Sequence, residues 1–211
     1  IKRDDTDLTV VNPEHGPVSI ESAYDEALAI PPTLELVRKA NEEGYDAVIL
    51  ACFSDPGLDA AKEISAIPVF GIEETSMHVA AMLGHKFAVT VGDKARSPSK
   101  DLHVRVRNVE SAYATALSMD MPVLEMDANP DKAKARIMEL GRQAVEEDGV
   151  EVIILGCAGL SGYADDIERE LGVVVLDPTS VALKVAEAMV DLGVRHSKVR
   201  RYARPPEKEI K

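Results

Sequence analysis

Tryptophan is absent from this sequence of 211 residues, and aromatic residues together make up only 4%. Base-stacking platforms are built from such side chains, so a nucleic-acid reader of that kind is not expected. A formal charge of −13, from 24 basic and 37 acidic residues, adds repulsion toward phosphate backbones. No apolar run approaches the roughly 18 residues that span a bilayer. No signal-like apolar stretch follows the charged start Ile1, Lys2, Arg3, Asp4, Asp5. These absences predict a soluble, cytoplasmic protein with neither nucleic acid nor membrane as partner. Cysteine is equally scarce. Cys52 and Cys157 are too few for a disulfide framework or a multi-cysteine zinc site, and no CxxC pair occurs. The P-loop pattern and the GxGxxG fingerprint are missing as well.

What is present is enough apolar material, 45% of residues, to bury a real core. Short apolar, β-branched runs recur at 8–11, 47–51, 68–70, 87–91, 122–124, 152–155 and 173–176, with amphipathic stretches between most of them. Continuous apolar strands alternating with helices signal a parallel sheet covered on both faces, an α/β doubly wound architecture. Asp55-Pro56 reads as a cap and first-turn proline. Asn129-Pro130 opens a helix to about Glu147, and Gly44, Gly84, Gly149 and Gly193 stand where helices should stop. The segment 92–120 mixes helical periodicity with the alternation His103, Val104, Arg105, Val106, Arg107, and stays ambiguous.

The most informative pattern is a repeat. Residues 46–70 parallel residues 151–176: acidic residue, buried strand, cysteine, small polar turn, helix, second strand, then another helix in each copy. Cys52 maps onto Cys157, 105 residues later. A unit this long predicts two similar lobes related by a pseudo-twofold, with the active site in the cleft between them. Residues 1–90 with 180–211 form the lobe of Cys52, and residues 91–179 the lobe of Cys157.

Each cysteine follows an apolar strand, at the edge where open parallel sheets bind ligands, and precedes a helix start whose positive end favours a thiolate. Ser54, Asp55 and Ser161 are the capping residues at those starts. A lone cysteine there is as readily a small buried hydrophobe. Two at equivalent stations facing one cleft invite an active role. A redox disulfide lacks the usual CxxC arrangement, and a metal site lacks His or carboxylate partners beside either cysteine. Two-base acid and base catalysis remains. Inverting a carbon centre needs one group on each face, one thiolate and one thiol, exchanging roles at every turnover. The developing enolate would take hydrogen bonds from backbone N–H groups of Phe53, Ser54, Ala158 and Gly159. No cofactor and no metal is implied.

At these residues the sequence resembles the aspartate/glutamate/hydantoin racemase superfamily, and within it the hydantoin and allantoin racemase branch. The matching stretches are 12–28 (NPEHGPVSIESAYDEAL), 45–64 (YDAVILACFSDPGLDAAKEI), 69–84 with Met77, His78, Val79 and Ala80, and 151–162 (EVIILGCAGLSG) through Asp177 and Pro178. The resemblance implies a cofactor-independent isomerase with Cys52 and Cys157 catalytic, acting as a homo-oligomer. Amino-acid racemases of the superfamily usually carry Asn-Thr after the first cysteine, and Thr with Glu or His after the second. Here Phe53-Ser54 and Ala158-Gly159 stand in those places. Small and apolar groups suit an uncharged hydantoin-type ring better than a zwitterion. Relatives ordinarily begin with a strand and an Asn-Pro-Asn-like loop, whereas Ile1 to Val11 here looks like the following unit. The rivals are an aspartate or glutamate racemase, a maleate isomerase or an arylmalonate decarboxylase of the same superfamily, a two-lobed binding protein without catalysis, and a thiol redox protein.

Among other residues, Glu73, Glu74 and Thr75 follow the strand at 68–70 and are substrate contacts or ordinary first-turn partners of the helix dipole. His78, on the next helix, reaches the cleft or caps a packed face. Asp177 is a helix cap or a ligand contact, and Gly16, Pro17 and Ser19 resemble a cleft loop. His15, His85, His103 and His196 show no partner spacing. From Arg195 onward seven basic residues stand against two acidic, which predicts a strap lying on an acidic surface.

Overall fold

The computed structural model describes residues 1–157, 160, 162–206 and 208. Along the chain run α1 (Ala23–Glu42), β1 (Val48–Leu50), α2 (Leu58–Ile64), β2 (Val69–Gly71), α3 (Ile72–Leu83), β3 (Phe87–Val91) and α4 (Ser97–Val106). Then follow β4 (Tyr113–Ser118), α5 (Val123–Ala128), α6 (Pro130–Asp148), β5 (Val152–Ile154), α7 (Ala164–Leu171), β6 (Val174–Leu176) and α8 (Pro178–Asp191). β1 pairs with β2, and a second sheet has the order β4-β3-β5-β6, every pair being parallel.

Successive side chains of a strand point to opposite faces, and the four-stranded sheet uses both. Ala88, Ile153, Leu155 and Val175 join a core with Met126, Ile137 and Ile167, from α5, α6 and α7. Phe87, Val89, Val152, Ile154 and Leu176 join another with Ile72, Met77, Val104 and Ala182, from α3, α4 and α8. Burial on two faces explains why these strands read as unbroken apolar runs. Each fully buried Val, Ile or Phe contributes roughly 1.5–3 kcal/mol. A third cluster, with Val37, Leu50, Leu58, Ala61 and Val69, packs α1 and α2 on the smaller sheet.

Both copies of the repeat fold alike. β1 and β2 flank α2 in the register Val48 to Val69, and β5 and β6 flank α7 in the register Val152 to Val174. The helices that follow are exchanged: α3 packs on β5 and β6 as well as β2, α8 packs on β1 and β2, and the two helices pack on each other.

Several expectations change. Residues 8–11 form no strand; Leu8, Val10 and Val11 are exposed, and among the described residues no strand pairs with them. Upstream of them, the Arg3 N–H and the Thr6 hydroxyl donate to Glu187 on α8. Residues 122–124 open α5 instead of a strand, with Pro122 at its start. The strand is Tyr113–Ser118, whose edge position tolerates a mixed pattern that does not read as an apolar run. The alternation at 103–107 belongs to the end of α4. Asp55-Pro56 does not cap α2, which starts after Gly57. β3 pairs with β5, so the strand at 87–91 lies in the sheet that leads to Cys157.

The basic tail does lie on the body. His196 Nε2 meets the backbone of Val69 at the edge of β2, 2.8 Å from its nitrogen and 2.9 Å from its oxygen. Lys198 donates to the carbonyls of Lys62 and Glu63 at the end of α2, and Arg201 pairs with Asp59 at 2.9 Å. No helix among the described residues is long and apolar enough to cross a membrane.

Candidate active site

Cys52 lies two residues beyond β1 and Cys157 three residues beyond β5, both half-buried. These are the carboxyl ends of parallel strands, where the chain must leave the sheet and backbone groups lose their ladder partners. Cys157 packs against the core covered by α6 and α7. The strand end that carries it passes unusually close to β3: Gly156 N–H donates to the Thr90 hydroxyl at 2.7 Å, and a Cβ on Gly156 would sit 1.7 Å from the Thr90 carbonyl oxygen. Ala158, Gly159 and Ser161 lie outside the described residues.

The Cys52 loop is a tight turn. Asp55 N–H donates to the Cys52 carbonyl at 2.9 Å, and the Ser54 hydroxyl lies 3.6 Å from the Cys52 sulfur. Burial pushes the Cys52 thiol up, while hydrogen bonds from the Ser54 hydroxyl and the Ser54 N–H, together with the charge of Lys100, pull it back. Phe53 is buried, its ring 5.0 Å below the Lys100 ammonium, and its carbonyl accepts from that ammonium at 2.7 Å.

Behind the loop is a buried charge cluster with little trace in the sequence. Glu73, 1% exposed, accepts from Lys100 on one oxygen and from His103 Nδ1, at 2.7 Å, on the other. Burial alone would raise the Glu73 carboxyl, but Lys100 and His103 outweigh it and hold it below its ordinary value. Lys100 and His103 share one face of α4 at a spacing of three, the only local signal that could have joined them. Glu73 therefore stands beneath the Cys52 loop, held by α4. Thr75 is buried, and His78 is exposed on α3 outside this cluster.

Asp55 has a role that its position in the chain did not suggest. In a left-handed conformation, φ 47°, it sends its carboxylate to the N-terminus of α3, accepting from Glu73 N–H at 3.0 Å and Glu74 N–H at 2.7 Å. The approach requires glycine at 71, where a Cβ would fall 2.1 Å from the Asp55 carboxyl carbon. Burial and the neighbouring Glu73 push Asp55 up to about 7, against the pull of the two N–H groups. A carboxyl raised in the folded state stabilises fully below its unfolded value and loses that contribution as pH rises through about 7. Asp55→Asn removes this titration. Its urea midpoint relative to wild type should climb from acid to mildly alkaline pH, and parallel curves for the two proteins would refute the assignment.

A cavity of about 270 Å³ opens beside the loop, lined by Ser54, Asp55, Pro56, Leu102, His103 and Arg107 among others. A second, about 390 Å³, is lined by Met119, Asp120, Met121 and residues of α6, and neither cavity has a cysteine in its lining. Among the described residues no group of three or more His, Cys, Asp or Glu side chains could hold a metal ion.

Comparison with known proteins agrees with this architecture. A family model described as Asp/Glu/Hydantoin racemase matches residues 1–186. A hydantoin racemase of Pseudomonas sp. (strain NS671) is 42% identical over 208 residues, covering 98% of this chain and 83% of its own length. Another, from Paenarthrobacter aurescens, is 39% identical, covering 97% and 87%. The solved structure of an allantoin racemase from Klebsiella pneumoniae superposes with a TM-score of 0.94 at 34% identity, covering 100% of this chain and 86% of that one.

Proposed function

The chain belongs to the Asp/Glu/Hydantoin racemase family and is an isomerase of that kind, and from this we propose that it racemises 5-substituted hydantoins or allantoin without a cofactor. Cys52 and Cys157 are the two bases: one thiolate removes the proton alpha to the ring carbonyl, and the other cysteine, as thiol, returns one to the opposite face. The proton count balances at each turnover, because the thiol formed on one side and the thiolate left on the other are the starting pair for the reverse direction.

The observation that carries this reading is that the only two cysteines of the chain close equivalent strands, β1 and β5, of one repeated unit. Phe53, buried, and the uncharged Ser54 beside Cys52 favour a neutral ring over a zwitterion, in keeping with the named substrates of the similar racemases. The sulfurs face each other across a cleft between the two lobes, which follow the pseudo-twofold of the repeat. Thr75 and Glu73, both buried, back the side of Cys52. The assembly is a homo-oligomer in the cytoplasm.

Polarimetry on single enantiomers tests the assignment. Optical rotation of a 5-substituted hydantoin or of allantoin should decay to zero from either enantiomer. Rotation that stays constant for both, with racemisation of glutamate or aspartate instead, would place the chain among the amino-acid racemases. Thermal stabilisation by a hydantoin without any loss of rotation would make it a binding protein.

A further inference from the structure

At Gly156, next to Cys157, one backbone contact is to a neutral hydroxyl, that of Thr90. Beside Cys52 the contact is to a cation: the Lys100 ammonium bonds the Phe53 carbonyl and lies over the Phe53 ring. Lys100 is 5% exposed, and a buried ammonium of that kind persists only with a counter-charge and filled hydrogen bonds. Glu73 supplies the counter-charge, and His103 fixes the other oxygen of Glu73, so the ammonium has no freedom to withdraw toward solvent. Geometry and burial converge on one outcome: a positive charge fixed beside the sulfur-bearing loop. We propose that Lys100 is a positioning residue for Cys52, clamping the loop through the Phe53 carbonyl and placing a fixed positive charge where the Cys52 thiolate forms.

The inference rests on the reading of Cys52 as an acid-base group. Among the described residues, the charged groups that act on Cys52 are Asp55 on its own loop and Lys100 on α4, the latter held by Glu73 on α3, which His103 also binds. Among these, Lys100 favours the thiolate and Asp55 opposes it. Because a racemase has an equilibrium constant of one, any change in Cys52 ionisation must move kcat/KM for both enantiomers together. The charge therefore sets the acid limb of the pH profile and gives no preference of direction.

The test reads the thiol directly. Both cysteines are labelled with iodoacetamide across the thiol titration range and quantified separately by peptide mass spectrometry, so that Cys157 serves as an internal control. Lys100→Met should lower Cys52 labelling at neutral pH roughly tenfold, as expected for loss of one close opposite charge. The titration midpoint should move up while that of Cys157 stays in place. Lys100→Met alone leaves Glu73 buried without its lysine, so the double variant Lys100→Met with Glu73→Gln is made beside it and should shift the Cys52 midpoint in the same direction. A Cys52 midpoint unmoved in the double variant overturns the proposal. So does a parallel shift at Cys157, which would mean general loosening. Labelling needs no turnover, so an absence of hydantoin racemisation would sink the proposed function and leave this result standing. An unmoved midpoint would do the reverse.

Discussion

Cys52→Ala and Cys157→Ala should each reduce racemisation of a hydantoin by at least about 10³-fold, within the range that acid-base groups supply. The loss is large because one side chain cannot reach both faces of a planar enolate. With a single cysteine left, the proton can be removed and returned on one face only. Each variant should therefore still exchange the alpha proton of one enantiomer for solvent deuterium, and the two variants should prefer opposite enantiomers. Proton NMR in deuterium oxide follows exchange, and polarimetry follows inversion. Full racemisation retained in both single variants would end the two-base mechanism. Exchange of the same enantiomer in both would show that the sulfurs do not occupy opposite faces.

Gly156→Ala is expected to damage both stability and activity. An added Cβ would meet the Thr90 carbonyl oxygen at 1.7 Å and the Thr90 carbonyl carbon at 2.9 Å, backbone atoms of β3 that cannot swing aside. Relief comes only by parting the strand end that leads to Cys157 from β3, which also stretches the Gly156 N–H bond to the Thr90 hydroxyl. Overpacking of this kind costs about 3 kcal/mol. A displacement near 1 Å at a reacting group lowers kcat/KM by roughly 100-fold. Urea denaturation and racemisation kinetics measure the two effects. A variant that keeps wild-type stability would show that the strand end moves freely. A stable variant with full activity would show that the position of Cys157 is not critical.

Much of this architecture was legible from the chain alone. The parallel-sheet reading survives because strands buried on both faces leave unbroken apolar runs, as β3, β5 and β6 do. The repeat survives because each copy carries its own strand, turn and helix signals in a window of about 25 residues, near the length of a βαβ unit. Where the reading slipped, the signal was weak for a physical reason. Tyr113–Ser118 is an edge strand with half-buried residues. Residues 8–11 have an apolar composition but, among the described residues, no neighbour to pair with.

The sequence by itself determined the α/β class, the duplication, and the placing of Cys52 and Cys157 at the ends of matching strands. Periodicity and turn chemistry act between near neighbours, and those features need nothing more. Only the tertiary structure decided that β3 joins the sheet of β5, that α3 and α8 cross to cover each other's strands, and that Asp55 caps α3. It alone brought Lys100 and His103 to Glu73, across 27 and 30 residues. Contacts between distant segments depend on how packed layers close in space, and a buried ion pair leaves no periodic mark on either partner's neighbourhood.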